Sequence, residues 1–249
     1  MTIRALLFDL WGTLLYVDEP ETLADRRRES YVASVAEALR KLGHDHPQKH
    51  VGLAVDAVIR EMAAIHEDGR DISMPERLGR LLELVDPGLS AHVTPQAMAA
   101  FEDDVVWAVR QNPPFAAPGA REALHEAHAR GLAIGLVSIT GMTPGYVLRQ
   151  LLDELELLQH LHVVTFSDEA RLAKPADAVY RCTLEALGVE AREAVFIGDS
   201  PGPDVAGPQE LGMTAVLVGD REERGVTPDA KLDSLEDLFP ALQRLGLVD

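Results

Sequence analysis

The sequence predicts an α/β fold, a parallel sheet flanked by helices, with a smaller all-helical unit inserted near its start. Three observations carry this expectation. Short continuous apolar runs recur as "IRALLFDL" at the N-terminus, "LAIGLVS" at 132–138, "HVVTFS" at 162–167, "AVFIGDS" at 194–200 and "TAVLVGD" at 214–220. Runs without polar alternation suit strands buried on both faces, the condition of a parallel sheet covered by helices. After residue 110 helical periodicity follows each run, whereas between residue 16 and about residue 111 no strand-like run occurs at all. The expected organisation is a Rossmann-like core of residues 1–15 and 112–249 and a helical domain of residues 16–111. A chain of 249 residues, 47% hydrophobic, has room for one sizeable core and such a satellite.

The helical insert reads as four elements. Tyr31, Val35, Leu39 and Leu42 form one stripe that stops at Gly43, and Val55, Val58, Ile59, Met62 and Ile65 form a second. Ser73 and Glu76 have the spacing of a capping box ahead of Leu78, Leu81, Leu82 and Val85. Thr94 and Pro95 start a fourth helix carrying Met98, Phe101, Val105 and Ala108. The piece after Leu15 leads out of the core and "NPPFAAPG", Asn112 to Gly119, leads back, so both crossings fall at one place and suggest a hinge.

Charge narrows the partners. Against 23 basic residues stand 41 acidic ones, and a net charge of -18 repels nucleic-acid phosphates and anionic lipid. Neither nucleic acid nor a membrane is expected as a partner, because no apolar stretch reaches the roughly 18–20 residues of a bilayer span. The single cysteine, Cys182, forms no internal disulfide, and no secretory leader pattern opens the chain, so a cytoplasmic location is expected. Self-association is left open, since an apolar helical stripe can be buried against a twin or against the core.

Ligands of open parallel sheets bind beyond the carboxyl ends of the strands, where strand order reverses. The residues there are Asp9, Ser138, Asp199 and nearby Asp204, with Lys174 in the connection after the third run. An acid, a hydroxyl, a cation and an acid pair converging on one crevice suit phosphoryl transfer. Asp9 can attack phosphorus and split one hard displacement into two easier ones. Asp9, the carbonyl of Trp11 and Asp199 suit magnesium, which favours oxygen ligands, with Asp204 holding it directly or through water. Lys174 and the Ser138 hydroxyl neutralise the phosphoryl oxygens as charge develops.

At these residues the sequence resembles the haloacid dehalogenase superfamily. "FDLWGT" looks like its motif I, "IGLVS" motif II, "AKPADAVY" motif III and "FIGDSPGPDVAG" motif IV, in the family order, with a helical cap domain between the first two. Of only four lysines, Lys41, Lys49, Lys174 and Lys231, one stands where motif III requires it. The resemblance implies that Asp9 is the nucleophile, that Lys174 and Ser138 hold the substrate anion with Gly12, Thr13 and Ile139 lining its site, and that Asp199 and Asp204 belong to a magnesium centre. A small phosphorylated metabolite is the expected substrate.

Trp11 departs from the family pattern. Phosphatases of the family carry a second aspartate there, which protonates the leaving oxygen and later activates water. Indole does neither, at a cost of about 10² to 10⁴ in rate, so a slow phosphatase is expected. Two alternatives stay open beside it: metal-independent displacement of halide from a 2-haloacid, and a non-catalytic module that binds a ligand or a protein. Motif IV favours the metal, because two uncompensated acids beside Asp9 repel one another. A phosphonoacetaldehyde hydrolase needs a cap lysine, for which Lys41 and Lys49 are the candidates. Of Arg26, Arg27 and Arg28, any one can point into the crevice. Pro208 is expected to bend the helix after Asp204, and His44, His46 and His50 read as solvated histidines without a tetrahedral partner set.

Overall fold

A computed structural model describes residues 3–16 and 20–249, the side chains of residues 20–24 excepted. The middle of the outgoing connection, residues 17–19, lies outside the described residues. The strands are β1 (Ala5–Phe8), β2 (Leu15–Tyr16), β3 (Phe115–Ala116), β4 (Ala133–Ser138), β5 (Val163–Phe166), β6 (Ala194–Gly198), β7 (Thr214–Val218) and β8 (Ala230–Leu232). Six of them form a sheet in the order β5-β4-β1-β6-β7-β8, every pair parallel. The five apolar runs of the sequence are all in it.

Alternation along β1 explains the two covered faces. Leu6 and Phe8 join the larger apolar cluster, while Ala5 and Leu7 join a second one with Val137, Tyr180 and Phe196. At the centre of the sheet, β1 pairs with β4 on one side and β6 on the other, with Phe8 opposite Leu136 and Ile197. The carboxyl ends of β1 and β6 therefore lie side by side, and the acids that follow them emerge together.

The helical segment comprises α1 (Pro20–Lys41), α2 (Gln48–Glu67), α3 (Met74–Val85), α4 (Leu89–His92) and α5 (Pro95–Val106). The capping box of Ser73 and Glu76 starts α3, and the Thr94 hydroxyl accepts from the Ala97 amide at the start of α5. Val35, Leu39, Val55, Val58, Leu78, Leu81, Phe101 and Val105 are buried as their spacing predicts. Leu42, Ile65 and Met98 are only half-buried, and Ile59 is 45% exposed, at the flank of its helix. The one-turn α4 was not expected, nor were the paired β2 and β3, in which Leu15 faces Ala116. These short strands join the outgoing and returning crossings as one ribbon.

Downstream lie α6 (Ala120–Ala129), α7 (Gly145–Glu154), α8 (Ser167–Ala170), α9 (Asp177–Leu187), α10 (Gly207–Glu210) and α11 (Leu238–Arg244). Asp204 belongs to a wider π-type turn, Pro201–Ala206, which runs without a break into α10 because Ala206 and Gly207 keep helical dihedrals, and Pro208 stands just past that junction of wide and ordinary turns.

One residue joins the helical segment to the sheet more firmly than the sequence suggests. Arg77 of α3 is 0% exposed, and its guanidinium donates to Asp71 at 2.5 Å, to the Thr140 hydroxyl and carbonyl at 3.0 Å each, and to the Gly141 carbonyl. Thr140 and Gly141 belong to the loop after β4. Nearby, Arg171 donates to Glu76 from the loop after α8. Arg77→Met leaves the Asp71 carboxylate buried without its cation, so a loss of about 3–5 kcal/mol is expected in urea unfolding. Adding Asp71→Asn should restore part of it.

Candidate active site

Asp9 follows β1 and is 6% exposed; Asp204 is 0% exposed and Lys174 3%. Lys174 Nζ donates to Asp9 Oδ1 and to Asp204 Oδ1, each at 2.6 Å, and so bridges the ends of β1 and β6. Asp204 Oδ2 accepts from the Ser200 amide at 2.9 Å, which occupies its other oxygen. Asp199 takes a hydrogen bond from the Ser200 hydroxyl at 2.9 Å and an ion pair from the exposed Arg221 at 2.8 Å. Carboxylate oxygens of Asp9, Asp199 and Asp204 all lie within 4.8 Å of one another.

Two glycines permit this convergence. Gly12 has φ +80°, and a Cβ there would stand 2.3 Å from Asp199 Oδ2. A Cβ on Gly198 would stand 2.4 Å from the Asp204 side chain. The loop after β1 approaches the acids after β6 so closely that only the smallest residue fits.

Electrostatics follow from burial. Desolvation pushes the Asp9 carboxyl up to about 7, Lys174 opposes it, and Asp204 and Asp199 add to the rise. Asp199 is raised too, chiefly by desolvation. Burial alone would lower Lys174, yet Asp204 and Asp9 hold it above its ordinary value. Three carboxylates against one buried ammonium leave an excess of negative charge, and oxygen donors in that excess suit a small hard cation.

A cavity of about 840 Å³ opens over these groups, lined by Asp9, Trp11, Gly12, Thr13, Ile139, Lys174, Asp199 and Asp204 among others. Thr13 is 1% exposed, and its hydroxyl has no hydrogen-bond partner among the described residues. Ser138 ends β4 nearby, but its hydroxyl donates to the Ile139 carbonyl at 3.2 Å, as a strand-end serine does. Of the motif residues, Asp9, Trp11, Gly12, Thr13, Ile139, Lys174, Asp199 and Asp204 thus line one crevice, whereas Ser138 is turned aside from it.

Other candidates fall elsewhere. Lys41 pairs with Asp104 at 2.6 Å, and neither it nor Lys49 lines the cavity. Arg28 is spent on Asp56, at 2.7 and 2.6 Å. Arg27 does not line the cavity either, but stands over Trp11, which does, with its guanidinium carbon 5.0 Å from the centre of a Trp11 ring. His44 and His46 lie close to Asp86, with His44 Nδ1 3.7 Å from its Oδ2. Asp86 is a neighbour that the sequence reading of these histidines lacked. His50 is occupied with the Val85 carbonyl at 2.7 Å. Arg77 and Asp71 escaped the reading altogether, since an arginine at core spacing in an amphipathic helix carries no separate signal.

Comparison with known proteins agrees with the geometry. Residues 3–212 match the family model of haloacid dehalogenase-like hydrolases. The chain is similar to a phosphoserine phosphatase of Thermus thermophilus, 36% identical over 128 residues that span half of each protein. It is also similar to a ribulose-1,5-bisphosphate 5-phosphatase of Halopiger xanaduensis, 27% identical over 91% of this chain and 89% of that one. Among solved structures, a HAD phosphatase from Thermococcus onnurineus superposes with a TM-score of 0.64 at 24% identity, covering 99% of both chains.

The raised Asp9 has a consequence for stability. Between pH values of about 3.8 and 7 the unfolded chain has released this proton while the folded protein keeps it. Unfolding is thus favoured progressively as pH rises through that window. In chelator, Asp9→Asn should gain stability over the parent from pH 5 to pH 8, read as a widening gap between their melting temperatures.

Proposed function

We propose, for a chain that belongs to the haloacid dehalogenase-like hydrolases, that it is a magnesium-dependent phosphatase acting through Asp9 on a small phosphorylated organic molecule. The observation that carries this reading is the buried Asp9–Lys174–Asp204 bridge with Asp199 alongside. The phosphatase names of the similar proteins favour it over displacement of halide.

Asp9, the Trp11 carbonyl and Asp199 would hold the cation. Asp204, with both oxygens engaged, holds Lys174 in place. The bound ion supplies positive charge that lets a phosphate dianion approach a carboxylate. Asp9 then forms a bond to phosphorus as the bond to the ester oxygen breaks, and water later cleaves the acyl phosphate and frees Asp9. Lys174 orients the attacking oxygen and neutralises the phosphoryl group. The unpartnered Thr13 hydroxyl donates to a phosphoryl oxygen, and Ser138 joins it by turning from the Ile139 carbonyl.

No acid stands at position 11, so the leaving oxygen departs without a side-chain proton donor. Residues 16–111 act as a cap over the mouth. Its swing is restrained by Arg77, since opening at α3 would break the hydrogen bonds from its buried guanidinium to Thr140 and Gly141.

A screen of phosphate esters and haloacids, each with magnesium and with chelator, tests the assignment. Magnesium-dependent phosphate release is expected, and halide release in chelator would contradict it. Asp9→Asn should lower phosphate release on the order of 10³-fold or more. Trp11→Asp should raise turnover of alkyl phosphates relative to aryl phosphates by about 10- to 100-fold, measured as the ratio of the two kcat values in variant and parent.

A further inference from the structure

Resting on the phosphatase reading, we propose that the leaving group of the substrate is an apolar body ending in a carboxylate, held in a second cavity by Arg27 and Tyr31. That cavity, of about 440 Å³, adjoins the catalytic one, because Trp11 and Ile139 line both. Its other walls include Val55, Met62, Val109 and Met142, so it suits hydrocarbon rather than a polyhydroxylated chain.

Within this apolar wall Arg27 and Tyr31 carry donors with no partner among the described residues. Tyr31 is 8% exposed, and its hydroxyl has no partner among the described residues. Arg27 uses Nε on the Asn112 carbonyl at 3.0 Å, while its buried Nη2 has no partner among the described residues. Burial lowers the Arg27 pKa from its ordinary value. The two residues are one helical turn apart on α1 and line the same cavity. A buried donor left without an acceptor destabilises the protein, and a ligand acceptor removes that cost. A guanidinium fork and a phenol on one wall match a carboxylate, whose two oxygens accept from both.

Trp11 gains a role in this arrangement. Its indole is the floor on which the Arg27 guanidinium stacks, so the residue that displaces the family's second acid also fixes the cation that reads the substrate's far end. Neighbouring arginines do not compete for that duty, since Arg26 is exposed and Arg28 is paired with Asp56.

The test compares phenyl phosphate with 4-(carboxymethyl)phenyl phosphate in magnesium. The parent should favour the carboxylated ester by about tenfold or more in kcat/KM, mainly through KM. Arg27→Met should bring the ratio to near one, and Arg27→Lys should keep part of it. Tyr31→Phe, which removes a hydroxyl unpartnered in the protein, should lower the ratio without a loss of melting temperature. No preference in the parent, or an undiminished ratio in Arg27→Met, would overturn the proposal. If neither ester is hydrolysed, the phosphatase reading fails separately, and calorimetry with 4-hydroxyphenylacetate decides this one. Binding to the parent that Arg27→Met abolishes upholds it; equal binding, or none, refutes it.

Discussion

Three carboxylates share one nearly dry corner of this protein, and the arrangement depends on Lys174. Its ammonium lies between Asp9 and Asp204, so the charge of the β1 tip is held beside the charge of the β6 tip instead of repelling it. The parallel pairing of β1 with β6 delivers those tips together, and Gly12 and Gly198 let the loops close to distances that a Cβ would prevent. One ammonium does not balance three acids. The residual negative potential, set among oxygen donors, suits a small hard cation.

Above that corner the helical segment is attached by two different kinds of contact. Arg77 is wholly buried and ties α3 to the loop after β4, so this side of the roof is anchored by hydrogen bonds from a guanidinium that water does not reach. On the other side α1 meets the core through Arg27, which stacks on Trp11 and donates to Asn112 on the returning crossing. The first contact uses all the donors it shows, whereas the second leaves a nitrogen spare. That difference separates a structural rivet from a surface arranged to receive a ligand.

Much of this was legible in the sequence because the physics was local. Strands buried on both faces read as nearly continuous apolar runs, and β1, β4, β6 and β7 do, while β5 at the sheet edge carries the polar Thr165. The capping box at Ser73 and the hydroxyl cap at Thr94 place helix starts to the residue. The acids and Lys174 were legible as a set through the order of four motifs. What escaped depended on distant partners. β8 is three residues with the exposed Lys231 in its middle, and it is a strand only because β7 offers an edge. Arg77 sits at a core position of α3 and is satisfied by residues 63 and 64 places away in the chain. The inward turn of Arg27, against the pairing of Arg28 with Asp56, depends on where Trp11 and Asn112 lie in space.

The central claim is a covalent phosphoryl adduct on Asp9, and the direct measurement is to trap it. The protein, turning over phenyl phosphate in magnesium, is quenched with acid and reduced with borohydride, and its peptides are mapped by mass spectrometry. The account predicts homoserine at position 9 in magnesium and unmodified aspartate in chelator. Sustained phosphate release with Asp9 unmodified, or reduction at another carboxylate, would contradict it.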